Sequence, residues 1–291
     1  MRHPSNMPPT TPSYQDHDGY LIASGFPVNN FESALRYKAQ FNDLFVVSYP
    51  KCGTTLTQHI VYLLLHNGQP ISADQRLDRV FPHLEEVGAD YVSSKATVAQ
   101  GFRLIKTHFD YDRTPQHRQA KYIFVVRNPK DCVVSFFHHT KGFPRHYNFE
   151  DGSFDTYFDL FMKGRVDHGD YFKVVRSWMD HRLDSNVLLL TYEFMRASPR
   201  NSILKIATFL DQKPDSLLID KILLHSSLES MKRDPLRWCS ERSNHHTPFI
   251  RSGKVAGWNE LLTSEQAERL DSRVREVFSL DERRALGEHY G

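Results

Sequence analysis

Between an apolar run, Phe45-Val46-Val47, and a stretch with apolar residues at helical spacing (Leu56, Ile60, Leu63, Leu64), the chain reads Tyr49-Pro50-Lys51-Cys52-Gly53-Thr54-Thr55. These residue types suit a phosphate: proline fixes a kink, lysine brings a cation, glycine frees the backbone and the threonines bring hydroxyls. The first N–H groups of a helix lack intrahelical partners and lie at the positive end of its dipole, so an anion there satisfies them. The segment departs from the Walker A pattern G-x-x-x-x-G-K-[ST], because Lys51 precedes the glycine and no earlier glycine sits in the loop. Taken alone, it reads equally well as an ordinary strand-to-helix turn capped by Thr54.

A second apolar run, KYIFVVR, leads into a helix start at Pro129, with Arg127 at its lip and Ser135 two helical turns on. Both can approach one phosphate if the loop folds back. A third run, FRLIKT, ends in Lys106-Thr107-His108. In open parallel sheets ligands bind beyond the carboxyl ends of the strands, so Lys51, His108 and Arg127 are expected to face one crevice. A histidine, with an ordinary pKa of about 6.5, is suited to take a proton from an acceptor hydroxyl. Singly, Arg127 reads as a strand-end cation, Ser135 as a helix hydroxyl and His108 as one of 16 histidines. Their convergence on a shared rim is what points to a site.

The elements that must position these residues are short and apolar. Four runs, LFVVSY, FRLIKT, KYIFVVR and NVLLLTYE, lack alternation, the mark of strands buried on both faces. The expected fold is α/β, a single domain with a central parallel sheet flanked by helices and a P-loop-like strand-loop-helix. FDTYFDLFMKG and GDYFKVVRSWMDHRL predict two crossover helices, and SPRNSILKIATFL a helix with Ser198 as N-cap and Pro199 first. Residues 228–258 are polar, without period, and read as a lid loop; Ser264 to about Phe278 reads as helix. The Pro- and Ser-rich residues 1–18 read as a disordered tail before a domain spanning 19–291.

Composition excludes several classes. With 291 residues, 40% hydrophobic and 25% charged, the chain is long enough for one large α/β domain. Lys and Arg total 37 against 35 Asp and Glu, a balance unsuited to coating nucleic acid, so any anion site is built locally. Cys52, Cys132 and Cys239 are scattered and odd in number, which predicts a reducing compartment rather than a disulfide framework. The absence of a signal-peptide core or a membrane-length apolar run predicts a cytoplasmic protein with no membrane partner. The pairs His138-His139 and His245-His246 lack HExxH or cysteine partners, so no metal is expected.

Together these residues resemble the cytosolic sulfotransferases. YPKCGTT looks like that family's 5′-phosphosulfate loop, RNPKDCVVS like its 3′-phosphate motif and RSGKVAGWN like its C-terminal R-K-G-x-x-G-D-W-K loop, in the family's order. KTH, GRVDHGDYFKVVRSW and TYEFM extend the likeness, roughly from Gly19 to Glu268. The resemblance implies 3′-phosphoadenosine 5′-phosphosulfate (PAPS) as donor, adenosine 3′,5′-bisphosphate (PAP) as product, and a hydroxyl or amine acceptor. It implies that Lys51 neutralises the bridging oxygen while Thr54, Thr55 and the backbone at Cys52 and Gly53 hold the 5′-phosphate. Arg127, Ser135, Arg251, Ser252 and Gly253 would clamp the 3′-phosphate, and Tyr192 and Ser226 would touch the adenine. His108 would be the base and Lys106 a stabiliser of the sulfuryl charge.

The sequence departs from the family pattern at Leu56 and Leu228, where aromatic residues normally sandwich the adenine, and at Ser252 and Ala256-Gly257 in the C-terminal loop. Of the family's dimerisation motif only Thr263 and Glu268 persist, which favours a monomer. Acceptor-pocket candidates are Phe26, Phe81, His83, Phe109, Phe136, Phe137 and His139. Glu85 and Glu86 lie close to this pocket and could pair with the amine of an acceptor such as dopamine or octopamine, or be solvated helix-start charges. A P-loop nucleotide kinase is the alternative from another reaction class, although the strand ends offer Lys106, Arg127 and Glu193 rather than a magnesium-binding Asp. A non-catalytic nucleotide-binding protein is the third reading.

Overall fold

Strand β3 (Asp43–Ser48) is buried at every position and lies at the centre of a five-stranded sheet of order β4-β5-β3-β6-β7. β5 (Phe102–Thr107), β6 (Lys121–Val126) and β7 (Val187–Thr191) run parallel to it, and β4 (Val98–Ala99) is a short antiparallel edge. The structure, a computed structural model, describes residues 11–238 and 249–287. Leu44, Val46, Ile123 and Val125 enter one core; Phe45, Val47, Tyr122 and Phe124 enter the other. Both faces are therefore covered, which is why the runs are apolar without alternation. The register sets Val47 opposite Thr107 and Phe124, so β3, β5 and β6 end at one level.

The expected crossover helices form at Phe154–Met162 and Tyr171–Met179, capped by the side chains of Ser153 and Asp170. The helix Pro199–Phe209 also forms, but the Ser198 side chain makes no capping bond; its carbonyl instead accepts from Ser202 Oγ at 3.0 Å. Residues 228–258 are not one loop: Leu228–Lys232 is helical, and Pro235–Arg237 and Gly257–Glu260 are 3-10 turns. Cys239 and the His245-His246 pair lie outside the described residues. The last predicted helix spans Ser264–Val277, closed by a reciprocal capping box of Thr263 and Gln266.

Within the expected tail, residues 14–18 form a strand and a turn. β1 (Tyr14–His17) pairs antiparallel with β2 (Tyr20–Ala23) around Asp18-Gly19, both at positive φ. That dipeptide is a strong hairpin signal. The hairpin is tied down by Ser13 N donating to the Tyr147 carbonyl at 2.7 Å and by Gln15 Nε2 donating to the carbonyls of Ser24 and Phe26 at 2.8 and 2.9 Å.

Candidate active site

The loop after β3 turns through two left-handed residues, Lys51 (φ 69°) and Gly53 (φ 107°), before the helix Thr54–Leu65 starts. Gly53, not Thr54, stands at the cap position and makes no side-chain bond, so the helix start has no side-chain cap. A Cβ on Gly53 would sit 2.8 Å from the Tyr192 ring. Buried Tyr49 anchors the loop from below, donating to the Gly169 carbonyl at 2.9 Å, while Cys132 Sγ reaches the Pro50 carbonyl at 3.3 Å. Ser48 Oγ and Thr54 Oγ1 are 2.5 Å apart.

Arg127, just past the end of β6, is held by several contacts. Its guanidinium lies 4.4 Å from the centre of the Tyr192 ring and donates to the carbonyls of Lys51 (3.4 Å) and Lys254 (3.1 Å). Its Nε is buried and has no hydrogen-bond partner among the described residues. The backbone around it is fixed by Tyr171 Oη donating to the Arg127 carbonyl (2.6 Å) and by Asn128 N donating to Glu193, in the helix Tyr192–Ala197 that follows β7 (2.9 Å). Asp131 accepts from Ala256 N at 2.8 Å and so holds the C-terminal loop against this helix.

At the end of β5, His108 Nδ1 lies 2.6 Å from the Ser48 carbonyl. A carbonyl can only accept, so Nδ1 carries the proton and Nε2 keeps its lone pair. Burial, with Lys106, His83 and His168 nearby, holds the His108 pKa well below 6.5. Beneath it, fully buried Glu85 accepts the His108 N–H at 2.6 Å. Burial alone would raise the Glu85 pKa, but the His83 and His168 rings and the His108 N–H together hold it at about 2. His83 is drawn in by Lys106 N donating to the Pro82 carbonyl, and its ring nitrogens face Glu85 (3.4 Å) and Glu86 (3.5 Å) at ion-pair distance.

One cavity of about 290 Å³ runs along this rim. At one end its wall holds Lys51, Gly53, Thr54, Thr55, Leu56, Arg127 and Ser135, with Tyr192, Ser226, Leu228, Arg251, Ser252 and Gly253 facing them. At the other lie Lys106, His108, Phe26, Phe81, His83, Phe136 and His139. Lys51 Nζ is 3.5 Å from His139 Nδ1 and 4.3 Å from the Phe249 ring centre, between the two ends.

Three residues expected at or beside the acceptor pocket, Phe109, Phe137 and Glu85, do not line the cavity. Phe109 is fully buried against Tyr20 and Phe31, and Phe137 packs on Phe149, Phe154 and Tyr157; both serve the core rather than the cavity. The Cys52 side chain points away from the cavity, 3.7 Å from Cys132 Sγ. Glu85 faces the His108 backbone, leaving Glu86 on the wall. The sequence reading missed Phe143, His146, Tyr147, Asp167, His168, Arg196 and Phe249, all on the wall. His168 and Asp167 sit in a segment already singled out, but their direction depends on contacts remote in sequence. Among the described residues no cluster of three or more metal-ligating side chains occurs, and no helix is long and apolar enough to cross a membrane.

A mostly parallel sheet with helices on both faces, and a strand-loop-helix turn opening on a cavity lined by Lys51, Lys106 and Arg127 at its carboxyl edge, is the architecture of an α/β group-transfer enzyme. The chain belongs to the sulfotransferase family: residues 41–281 match the family model described as "Sulfotransferase domain". It is 31% identical over 260 residues to the human protein Sulfotransferase 1C2, covering 85% of this chain and 87% of that one. It is 32% identical over 254 residues to a rabbit (Oryctolagus cuniculus) amine sulfotransferase, covering 82% of each. The crystal structure of a mouse sulfotransferase, SULT7A1, complexed with PAP superposes with a TM-score of 0.77 at 27% identity, covering 95% of this chain and 99% of that one.

Proposed function

We propose that this sulfotransferase uses PAPS to sulfate the hydroxyl of a small phenol or phenolic amine, of which dopamine and octopamine are examples, with His108 as general base. The observation that carries the reading is the His108–Ser48 hydrogen bond, which leaves Nε2 unprotonated beside the cavity. PAP in a structural relative and an amine-directed curated relative support the donor and acceptor classes.

The residues fit such a donor. The unpartnered Nε of Arg127 and the glycine backbone at 53, with the Tyr192 ring against it, suit a phosphate and a base. Lys51, Gly53, Thr54 and Thr55 would hold the 5′-phosphate, and Cys52 would contribute its backbone. Arg127, Ser135, Arg251, Ser252 and Gly253 would hold the 3′-phosphate; Leu56, Tyr192, Ser226 and Leu228 would enclose the adenine. When bound, the donor supplies a sulfuryl group attached to a phosphate that leaves as an anion. His108 Nε2 takes the acceptor's proton as the acceptor oxygen attacks, and a dianionic neighbour would make that nitrogen more basic. Lys51 and Lys106 place positive charge where negative charge grows, and the buried walls keep water from weakening it.

The test is turnover of a phenol panel with PAPS in the presence of EDTA, alongside calorimetric PAP binding. His108→Ala should lower kcat by about 10²–10⁴-fold with PAP affinity nearly intact. Loss of PAP binding instead would refute the base assignment, and ATP-dependent phosphorylation would favour the kinase reading.

A further inference from the structure

Asp167 lies in the turn between the helices Phe154–Met162 and Tyr171–Met179, followed by His168 and Gly169, both at positive φ. The turn is held in place: His168 N donates to the Leu21 carbonyl at 2.8 Å and His168 Nδ1 lies 3.0 Å from Tyr20 Oη. Asp167 is 3% exposed. Its Oδ2 accepts from Tyr147 Oη at 2.7 Å, while Oδ1 is buried and has no hydrogen-bond partner among the described residues. The side chain lines the same end of the cavity as His108, whose ring centre is 5.0 Å from that of the adjoining His168.

An unpartnered buried carboxylate oxygen is costly, and a native protein keeps one where something completes it. The cavity wall also carries the aromatic side chains of Phe26, Phe143 and Phe249 and a second carboxylate, Glu86, beside the basic groups of Lys106, His83 and His146. Aromatic faces and carboxylates together favour a cation. We infer that Asp167 is the acceptor-specificity residue, receiving the protonated amine of an arylalkylamine whose hydroxyl lies at His108. This rests on reading the His108 end of the cavity as the acceptor chamber. Burial, opposed by the Tyr147 hydrogen bond and by His83, pushes the Asp167 carboxyl up to about 7, so that an arriving ammonium draws it into the ionised form.

The test is calorimetric binding of dopamine and of 4-methylcatechol, its uncharged counterpart, to the PAP-saturated protein, together with kcat/KM for both under PAPS. The wild-type protein should prefer dopamine at least tenfold in both readouts, and Asp167→Asn should bring the ratio close to one. The Tm rise caused by PAP reports whether the variant is folded. If it is not, the wild-type preference alone decides, and equal affinities for the two ligands overturn the inference. A preference that survives Asp167→Asn overturns it too. Dopamine-selective binding without sulfation of any phenol would leave the inference standing and sink the proposed reaction; sulfation without selectivity would do the reverse.

Discussion

Replacing Glu85 by Gln removes one charge from beneath His108 and changes little in shape. The carboxylate is fully buried, so solvent does not screen its contacts. Its pKa falls from 4.5 to about 2 because His83, His168 and the His108 N–H favour the ionised form by more than burial opposes it. That shift corresponds to about 3 kcal/mol of native-state stability at neutral pH. Because the folded pKa lies below the unfolded one, this stability is complete above pH 4.5 and is lost as pH falls toward 2. Urea unfolding at pH 7 should therefore find Glu85→Gln less stable by about 3 kcal/mol. Between pH 4.5 and 3 the wild-type protein should lose about 2 kcal/mol that the variant never had. The amide oxygen can still accept the His108 N–H, so folding should survive, but kcat should fall as the charge beneath the base is removed. A stability gap under 1 kcal/mol, or one that does not narrow in acid, would refute this account of Glu85.

Two further changes probe the donor end. Gly53→Ala puts a Cβ at φ 107° and 2.8 Å from the Tyr192 ring, on which Arg127 rests; PAP affinity measured by calorimetry should fall about tenfold or more through strain of about 1–3 kcal/mol, and unchanged affinity would count against the cradle. Leu56→Trp adds an aromatic face on the cavity wall and should tighten PAP by about 1–2 kcal/mol; no tightening would mean that Leu56 does not meet the adenine.

The sheet was legible in the sequence because strands covered on both faces must be apolar throughout, and a motif at each strand end then locates the rim. Lys51, Arg127 and His108 were legible for the same reason: parallel register carries strand ends to one edge. What was hidden depends on contacts between distant segments. Glu85 and Glu86 look alike as helix-start charges, yet the Pro82–Lys106 backbone bond turns one beneath His108 and the other to the cavity. Asp167 was hidden because Tyr147 and the β1–β2 hairpin, over a hundred residues from it in the case of Leu21, decide where its turn points. Phe109 follows a strand end, as a pocket residue would, but Tyr20 and Phe31 claim it for the core.

The guanidinium of Arg127 also joins two parts of the chain about two hundred residues apart in sequence. It holds the Lys51 carbonyl of the front loop and the Lys254 carbonyl of the C-terminal segment at once. An anion that recruits those N–H groups must take them from one carbonyl or share them with both, so under the proposed function nucleotide occupancy and attachment of the segment around Lys254 would be thermodynamically linked. Under the proposed function, departure of the spent nucleotide would then depend on the same side chain that fastens the segment around Lys254.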